Sequence, residues 1–317
     1  MNRPRLALAA FAVGVAAALM VLLLPSAGPA AAATSRPGGT LPVGNVLTAV
    51  AAELSNPGGM PPGSDNWSCR PSTAHPYPVI LVHGTFAGEA ISWQALSPML
   101  YNARYCVYAF DYGHTEPGPF FGMSEVAGAA HILSKFVTKV LQRTGSHQVD
   151  IVGHSLGGMM PRYYIDFLGG AKYVHMLVGL AASNHGTSLY GLNKLILTFQ
   201  MLGLPTPSTF GCYSCDEQLT GSGFLAHLNK VGDTVAGPRY VVIETGFDEV
   251  VTPYTSAFLT GPNVQNIKLQ TQCSDDWSDH LSIIYDLNAL QDVLNALGPD
   301  NPGFQPDCVP ALPILGS

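Results

Sequence analysis

Short β-branched runs alternate along the chain with longer stretches whose apolar residues recur every three or four positions. Runs 79–82, 106–110, 149–152, 174–180, 240–245 and 267–271 read as strands. Their nearly continuous apolar character is that of strands covered on both faces. Between them, residues 124–143 place Val126, Ala130, Leu133, Val137 and Val140 on one helical face, and 281–297 reads as a closing helix by the same test. Strands alternating with helices predict an α/β fold: a mainly parallel sheet with helices on both faces, in a single domain over 65–317.

The N-terminal part breaks this pattern. Arg3 and Arg5 precede an unbroken apolar run over 6–24, and Ala31, Ala32 and Ala33 supply a small-residue cleavage pattern, so residues 1–33 read as a secretory signal peptide. An apolar run of this length also suits a retained anchor, but no second such run follows, and a stable membrane span is not expected after processing. Residues 34–64, rich in Gly, Pro, Ala and Ser, read as a flexible leader with one short helix near 46–54. Without residues 1–33 the chain has 12 basic against 21 acidic side chains, because no acid precedes Glu53. With no cluster of positive charge, a nucleic-acid partner is excluded. At 47% hydrophobic and 11% charged residues, charge-driven disorder is excluded as well.

All six cysteines, 69, 106, 212, 215, 273 and 308, follow the signal segment, and an even count in an exported chain implies three disulfides with 15 possible pairings. The Cys212–Cys215 pair reads as a local structural bridge. No second pair or His cluster completes a metal site, and its place in an insertion argues against redox chemistry.

The chemistry is concentrated where the 149–152 strand runs into Gly153-His154-Ser155-Leu156-Gly157-Gly158, followed by a helical stretch over 159–168. Gly-X-Ser-X-Gly between a strand and a helix is the pattern of a nucleophile elbow, whose tight turn leaves no room for side chains two positions either side of the serine. Pro161, early in that helix, departs from ideal helical chemistry. A serine hydroxyl needs a base, and the base needs an acid to fix its tautomer, in the chain order Ser, Asp, His. Asp248, just after the 240–245 strand, and His280, after the last strand, fill these places. Glu249 reads as a solvated loop charge, and Asp275, Asp276 and Asp279 as loop or helix-start polarity. The amides of Leu156 and Thr85 are the candidate oxyanion donors, with the Thr85 hydroxyl as a third. His83 and His154 read as packing and loop hydrogen-bonding groups.

The segments VILVHGTF, DIVGHSLGGMMPRYYI, LVGLAASNHGT, TGFDEVVTPY and the late cysteine followed by SDHL, ordered over 78–286, resemble the secreted bacterial class 2 lipases of the α/β-hydrolase superfamily. Gly84-Thr85, the 248–253 run and Cys273 before Asp279-His280 are also similar to fungal lipases of the lipase B type. The resemblance implies a triad of Ser155, Asp248 and His280, an oxyanion hole at Thr85 and Leu156, and Pro161 as a regular part of the motif. It further implies the pairs Cys69–Cys106, Cys212–Cys215 and Cys273–Cys308. No His and Asp constellation matches the zinc and calcium sites of some larger bacterial lipases, so no cofactor or metal is expected.

The insertion 187–234 carries Leu192, Leu195, Phe199 and Met201 at helical spacing before a Pro205-Thr206-Pro207 break, and reads either as a lid over Ser155 or as core. The expected activity is hydrolysis of lipid carboxylic esters at a lipid–water interface by a secreted, extracellular monomer. Polyester hydrolysis, acyl transfer and a catalytically inactive surface-binding protein are the alternatives on the same scaffold.

Overall fold

The computed structural model describes residues 39–115, 120–204 and 211–317. The expected signal peptide, residues 34–38 of the leader and the Pro205-Thr206-Pro207 break lie outside the described residues. Six strands, β1 (Val79–Val82), β2 (Val107–Ala109), β3 (Val149–His154), β4 (Val174–Leu180), β5 (Arg239–Glu244) and β6 (Val264–Lys268), pair in parallel in the order β2-β1-β3-β4-β5-β6.

Side chains alternate across the pleat, so Val79 and Leu81 enter one apolar core while Ile80 and Val82 enter the other. The first core is closed by α1 (Val46–Ser55), α2 (Glu89–Ser92), α3 (Leu96–Asn102), and residues of the insertion and the C-terminal segment. The second is closed by α4 (Val126–Thr144) and α5 (Leu156–Phe167). Four helices follow in the chain: α6 (Leu189–Met201), α7 (Tyr213–Glu217), α8 (Gly223–Leu228) and α9 (Leu269–Gln272), before the last, α10 (Leu287–Leu297). β1 lies between β2 and β3, so the chain reverses its direction of winding there, and ligands of such sheets bind beyond the strand C-termini at that point. Both Thr85 and Ser155 follow those ends.

Three local expectations need correction. The last strand, placed at 267–271, is Val264–Lys268, and Leu269–Gln272 is a helical turn. As an edge strand with exposed Gln265 and Asn266, β6 carries no continuous apolar run to mark it. The closing helix, placed at 281–297, is broken: a 3-10 turn over Ser282–Tyr285 ends at Asp286, which is extended and caps α10 through the Asn288 amide. The leader also differs, because the compact unit begins at Thr40 and α1 buries Val46 and Ala49 in the first core. The Gly- and Pro-rich composition of this segment gives no sign of these buried side chains.

Disulfides join Cys69 to Cys106, Cys212 to Cys215 and Cys273 to Cys308. Among the described residues no helix is long and apolar enough to cross a membrane, and no group of three or more His, Cys, Asp or Glu side chains is arranged to hold a metal ion.

Candidate active site

Ser155 stands between β3 and α5 with φ 54° and ψ −120°, a region costly for a residue with a Cβ. The turn tolerates it because the residues two positions to either side, Gly153 and Gly157, have none. A Cβ on Gly153 would sit 1.8 Å from the Gly157 carbonyl oxygen, and one on Gly157 would sit 2.1 Å from that of Val82. The strained turn is held by the Ser155 amide donating to the Leu180 carbonyl at 2.9 Å. α5 begins at Leu156, three residues earlier than the sequence pattern suggested, and runs through Pro161. The Leu156 amide therefore opens the helix beside Ser155, where the N–H groups of the first turn lack helical acceptors and the dipole favours negative charge.

Asp248 and His280 meet across 32 positions of sequence. His280 Nδ1 lies 2.8 Å from Asp248 Oδ2, both side chains fully buried. The other carboxylate oxygen of Asp248 accepts from the amides of Val250 (2.8 Å) and Val251 (2.7 Å). Because Oδ2 accepts, the imidazole carries its proton on Nδ1 and presents a lone pair at Nε2, which is buried and makes no hydrogen bond. Ser155 and His280 border one pocket with Thr85, Leu195 and Phe199.

Burial works against the charged form of His280. The Asp248 carboxylate in contact, reinforced by Glu249 and Asp279, outweighs it and holds the imidazole above its ordinary pKa. Glu249 is thus no solvated loop charge: its Oε2 accepts from the His280 amide at 3.3 Å, and burial followed by the Asp279 charge pushes its carboxyl upward. Glu244, fully buried at the end of β5, is raised by burial and then by Asp248. Asp276, expected as loop polarity, is also buried, and it accepts from Ser278 and Asn288. Asp279 caps the turn that follows, accepting from the Ser282 amide at 2.8 Å, while Asp275 is exposed.

The remaining two histidines of the motifs serve the loops. His154 Nε2 donates to the His280 carbonyl at 2.8 Å, and burial drops its pKa to about 3, so it stays neutral. His83 Nδ1 donates to the Gly84 carbonyl at 2.9 Å while Nε2 accepts from the Tyr112 amide at 3.3 Å.

Gln218 was also invisible to sequence reasoning. Gln218, just after α7, donates from Nε2 to Thr85 Oγ1 (2.8 Å) and to the Ser214 carbonyl (3.1 Å), while its Oε1 accepts from Ser183 Oγ (2.8 Å). A carbonyl can only accept, so the amide orientation is set by chemistry. Thr85 Oγ1 therefore accepts from Gln218, and its own proton is left for an acceptor in the pocket. Thr85 and Gln218 are 133 positions apart, and no local pattern could link them.

α6 forms the roof. Leu192, Leu195 and Phe199 turn inward and are buried, whereas Leu197 and Met201 face outward at 49% and 71% exposure. The pocket beneath has a free volume of about 10 Å³, at the lower limit for a single water. A wider polar hollow beside Arg239, Gln265 and Asp300 lies at the N-terminal ends of β5 and β6, the opposite end of the sheet from Ser155.

Residues 76–291 match the family model described as Lipase (class 2). A triacylglycerol lipase of Pseudarthrobacter phenanthrenivorans is 25% identical over 70% of this chain and 90% of its own length, and one of Burkholderia plantarii is 25% identical over 70% and 80%. In structure, the chain is similar to Aspergillus fumigatus lipase B (TM-score 0.55, 19% identity), of which it covers 57% while 77% of this chain is matched. It is also similar to the mature form of Bacillus licheniformis lipase BlEst2 (TM-score 0.53, 16% identity, 73% of this chain and 95% of that one). An α/β-hydrolase sheet carrying a serine at the elbow, with a family match over most of its length, places this chain in the class 2 lipase family of lipid ester hydrolases.

Proposed function

We propose that the protein is a secreted lipase that hydrolyses acylglycerol esters through an acyl-Ser155 intermediate. The observation that carries this reading is the shared pocket of Ser155, on its strained turn, and His280, whose Nδ1–H is committed to Asp248. His280 Nε2 takes the hydroxyl proton as Ser155 Oγ attacks the ester carbonyl. Asp248 stabilises the imidazolium that forms. The tetrahedral oxyanion is met by the amides of Leu156 and Thr85 and by the Thr85 hydroxyl, whose proton Gln218 leaves free. His280 then protonates the departing alcohol, and water repeats the sequence to release the fatty acid.

The pocket is too small for an acyl chain while Leu195 and Phe199 occupy it, so α6 acts as a lid that must shift before substrate enters. The two named triacylglycerol lipases among its relatives and the three disulfides support the substrate class and export. The test is to follow initial rates on p-nitrophenyl esters of increasing chain length, below and above the concentration at which the substrate forms an interface. Strong long-chain activity that jumps at the interface is expected; short-chain activity without a jump marks a plain esterase. Ser155→Ala should lower kcat by about 10⁶ and abolish phosphonate labelling while the thermal transition is kept. Retained turnover in that variant overturns the assignment.

A further inference from the structure

A second space lies on the other side of α6 from Ser155. It is a groove of about 350 Å³ with Leu197 and Met201 of α6 on one wall and Phe247, Trp277, Pro313 and Ile314 on the other. Phe247 and Trp277 stack with ring centroids 4.9 Å apart and an interplanar angle of 21°, yet remain 43% and 51% exposed. The described structure covers neither ring further. Their place in the chain is pointed: Phe247 directly precedes Asp248, and Trp277 precedes His280 by three residues, so the aromatic pair rides on the two loops that hold the proposed acid and base.

The groove and the catalytic pocket are two sides of one partition. Leu195 and Phe199 line the pocket, while Lys194, Leu197, Thr198 and Met201 of the same helix line the groove. Movement of α6 away from Ser155 joins them into one cleft, with the aromatic platform on its stationary wall. Two carboxylates, Glu249 and Asp279, also line the groove against a single cation, Lys194, whose ammonium lies over the Tyr190 ring. An anionic headgroup or a free fatty-acid carboxylate is repelled there. A neutral hydrocarbon chain is not.

We propose that this groove is a binding site for a second acyl chain of a neutral multi-chain ester, held across Phe247 and Trp277 while the scissile chain lies against Ser155. The inference rests on the lipase reading above and specifies how that site distinguishes a di- or triacylglycerol from a single-chain ester. The alternative occupant, an anionic membrane surface, requires the same aromatic rings but a different charge balance.

The experiment compares kcat/KM for trioctanoylglycerol with kcat/KM for p-nitrophenyl octanoate, which share the scissile acyl group, in the wild-type enzyme and in Trp277→Ala, Phe247→Ala and Trp277→Phe. The expected result is a triester-to-monoester ratio about tenfold lower in Trp277→Ala and Phe247→Ala. Trp277→Phe, which keeps a flat apolar face, should recover most of the loss. Both alanine changes remove exposed side chains, and the monoester rate reports directly whether the triad geometry survives. A ratio unchanged in both alanine variants overturns the proposal. So does a Trp277→Ala variant that loses affinity for phosphatidylglycerol vesicles with no change in ratio, which marks a membrane contact instead. Wild-type turnover of the monoester alone overturns the groove while leaving the hydrolase reading intact, and turnover of neither ester overturns both.

Discussion

The loops carrying Asp248 and His280 and the helix α6 both border Ser155, but different forces hold them. The loops are fastened by directional contacts between buried polar groups: Asp248 to two amides and to His280, His154 to the His280 carbonyl, Thr245 Oγ1 to the Ser278 carbonyl, and Asp276 to Ser278 and Asn288. Each such group is costly to leave unpaired, so these loops have one good arrangement. α6 rests on Ser155's pocket through Leu195 and Phe199, with Leu197 and Met201 equally apolar on its outer side. Apolar contact has no direction, and a lipid surface offers the outer face the same burial that the pocket offers the inner one. The contrast separates a directionally fastened frame from a roof that the proposed lid role requires to move.

The frame can be broken most severely at its acid. Asp248→Asn should keep the fold yet lower kcat by about 10³–10⁴, because an amide can hold the wrong imidazole tautomer; steady-state kinetics beside a thermal melt check both halves. Next comes the oxyanion donor, which links the frame to the insertion. Thr85→Val should cost about 10² in kcat with little change in KM, and a KM effect alone would assign the hydroxyl to ground-state binding.

The roof should answer differently. Leu195→Ala weakens the closed position by about 2 kcal/mol, so activity below the interface concentration should rise by as much as about thirtyfold while the rate above it changes little. An equal fall in both rates would make α6 part of the fixed core. The smallest effect is a pH shift. His280 must be neutral to accept the serine proton, and neighbouring carboxylates raise its pKa, so activity climbs through a value above the ordinary 6.5 as pH increases. Removing a negative charge in Glu249→Gln destabilises the imidazolium and should move this acid limb of kcat/KM to lower pH. A limb that stays in place would show that Asp248 alone sets it.

Much of the frame was legible in the chain. Five of the six strands lie within a residue or two of their apolar runs, and Ser155, Thr85, Asp248 and His280 follow from an elbow pattern and from where acid and base must come in order. The structure brings Asp248 to His280, and Ser155, Thr85 and His280 to one pocket. β6 escaped because an edge strand needs no apolar alternation on its open side. Glu244, Glu249, Asp276 and Gln218 escaped for a different reason: a polar side chain in a loop looks the same in sequence whether water or a buried partner satisfies it.

The sequence by itself determined the α/β layering, since residues that cannot remain in water recur at the periods of strand and helix, and it determined the tight turn that presents Ser155, the proposed nucleophile, since only glycine fits at Gly153 and Gly157. Tertiary structure alone decided which acids surround His280, how Gln218 orients the Thr85 hydroxyl and which face of α6 closes the pocket. The first two depend on contacts between residues 31 to 133 positions apart, and no local pattern of polarity encodes a distance across the fold.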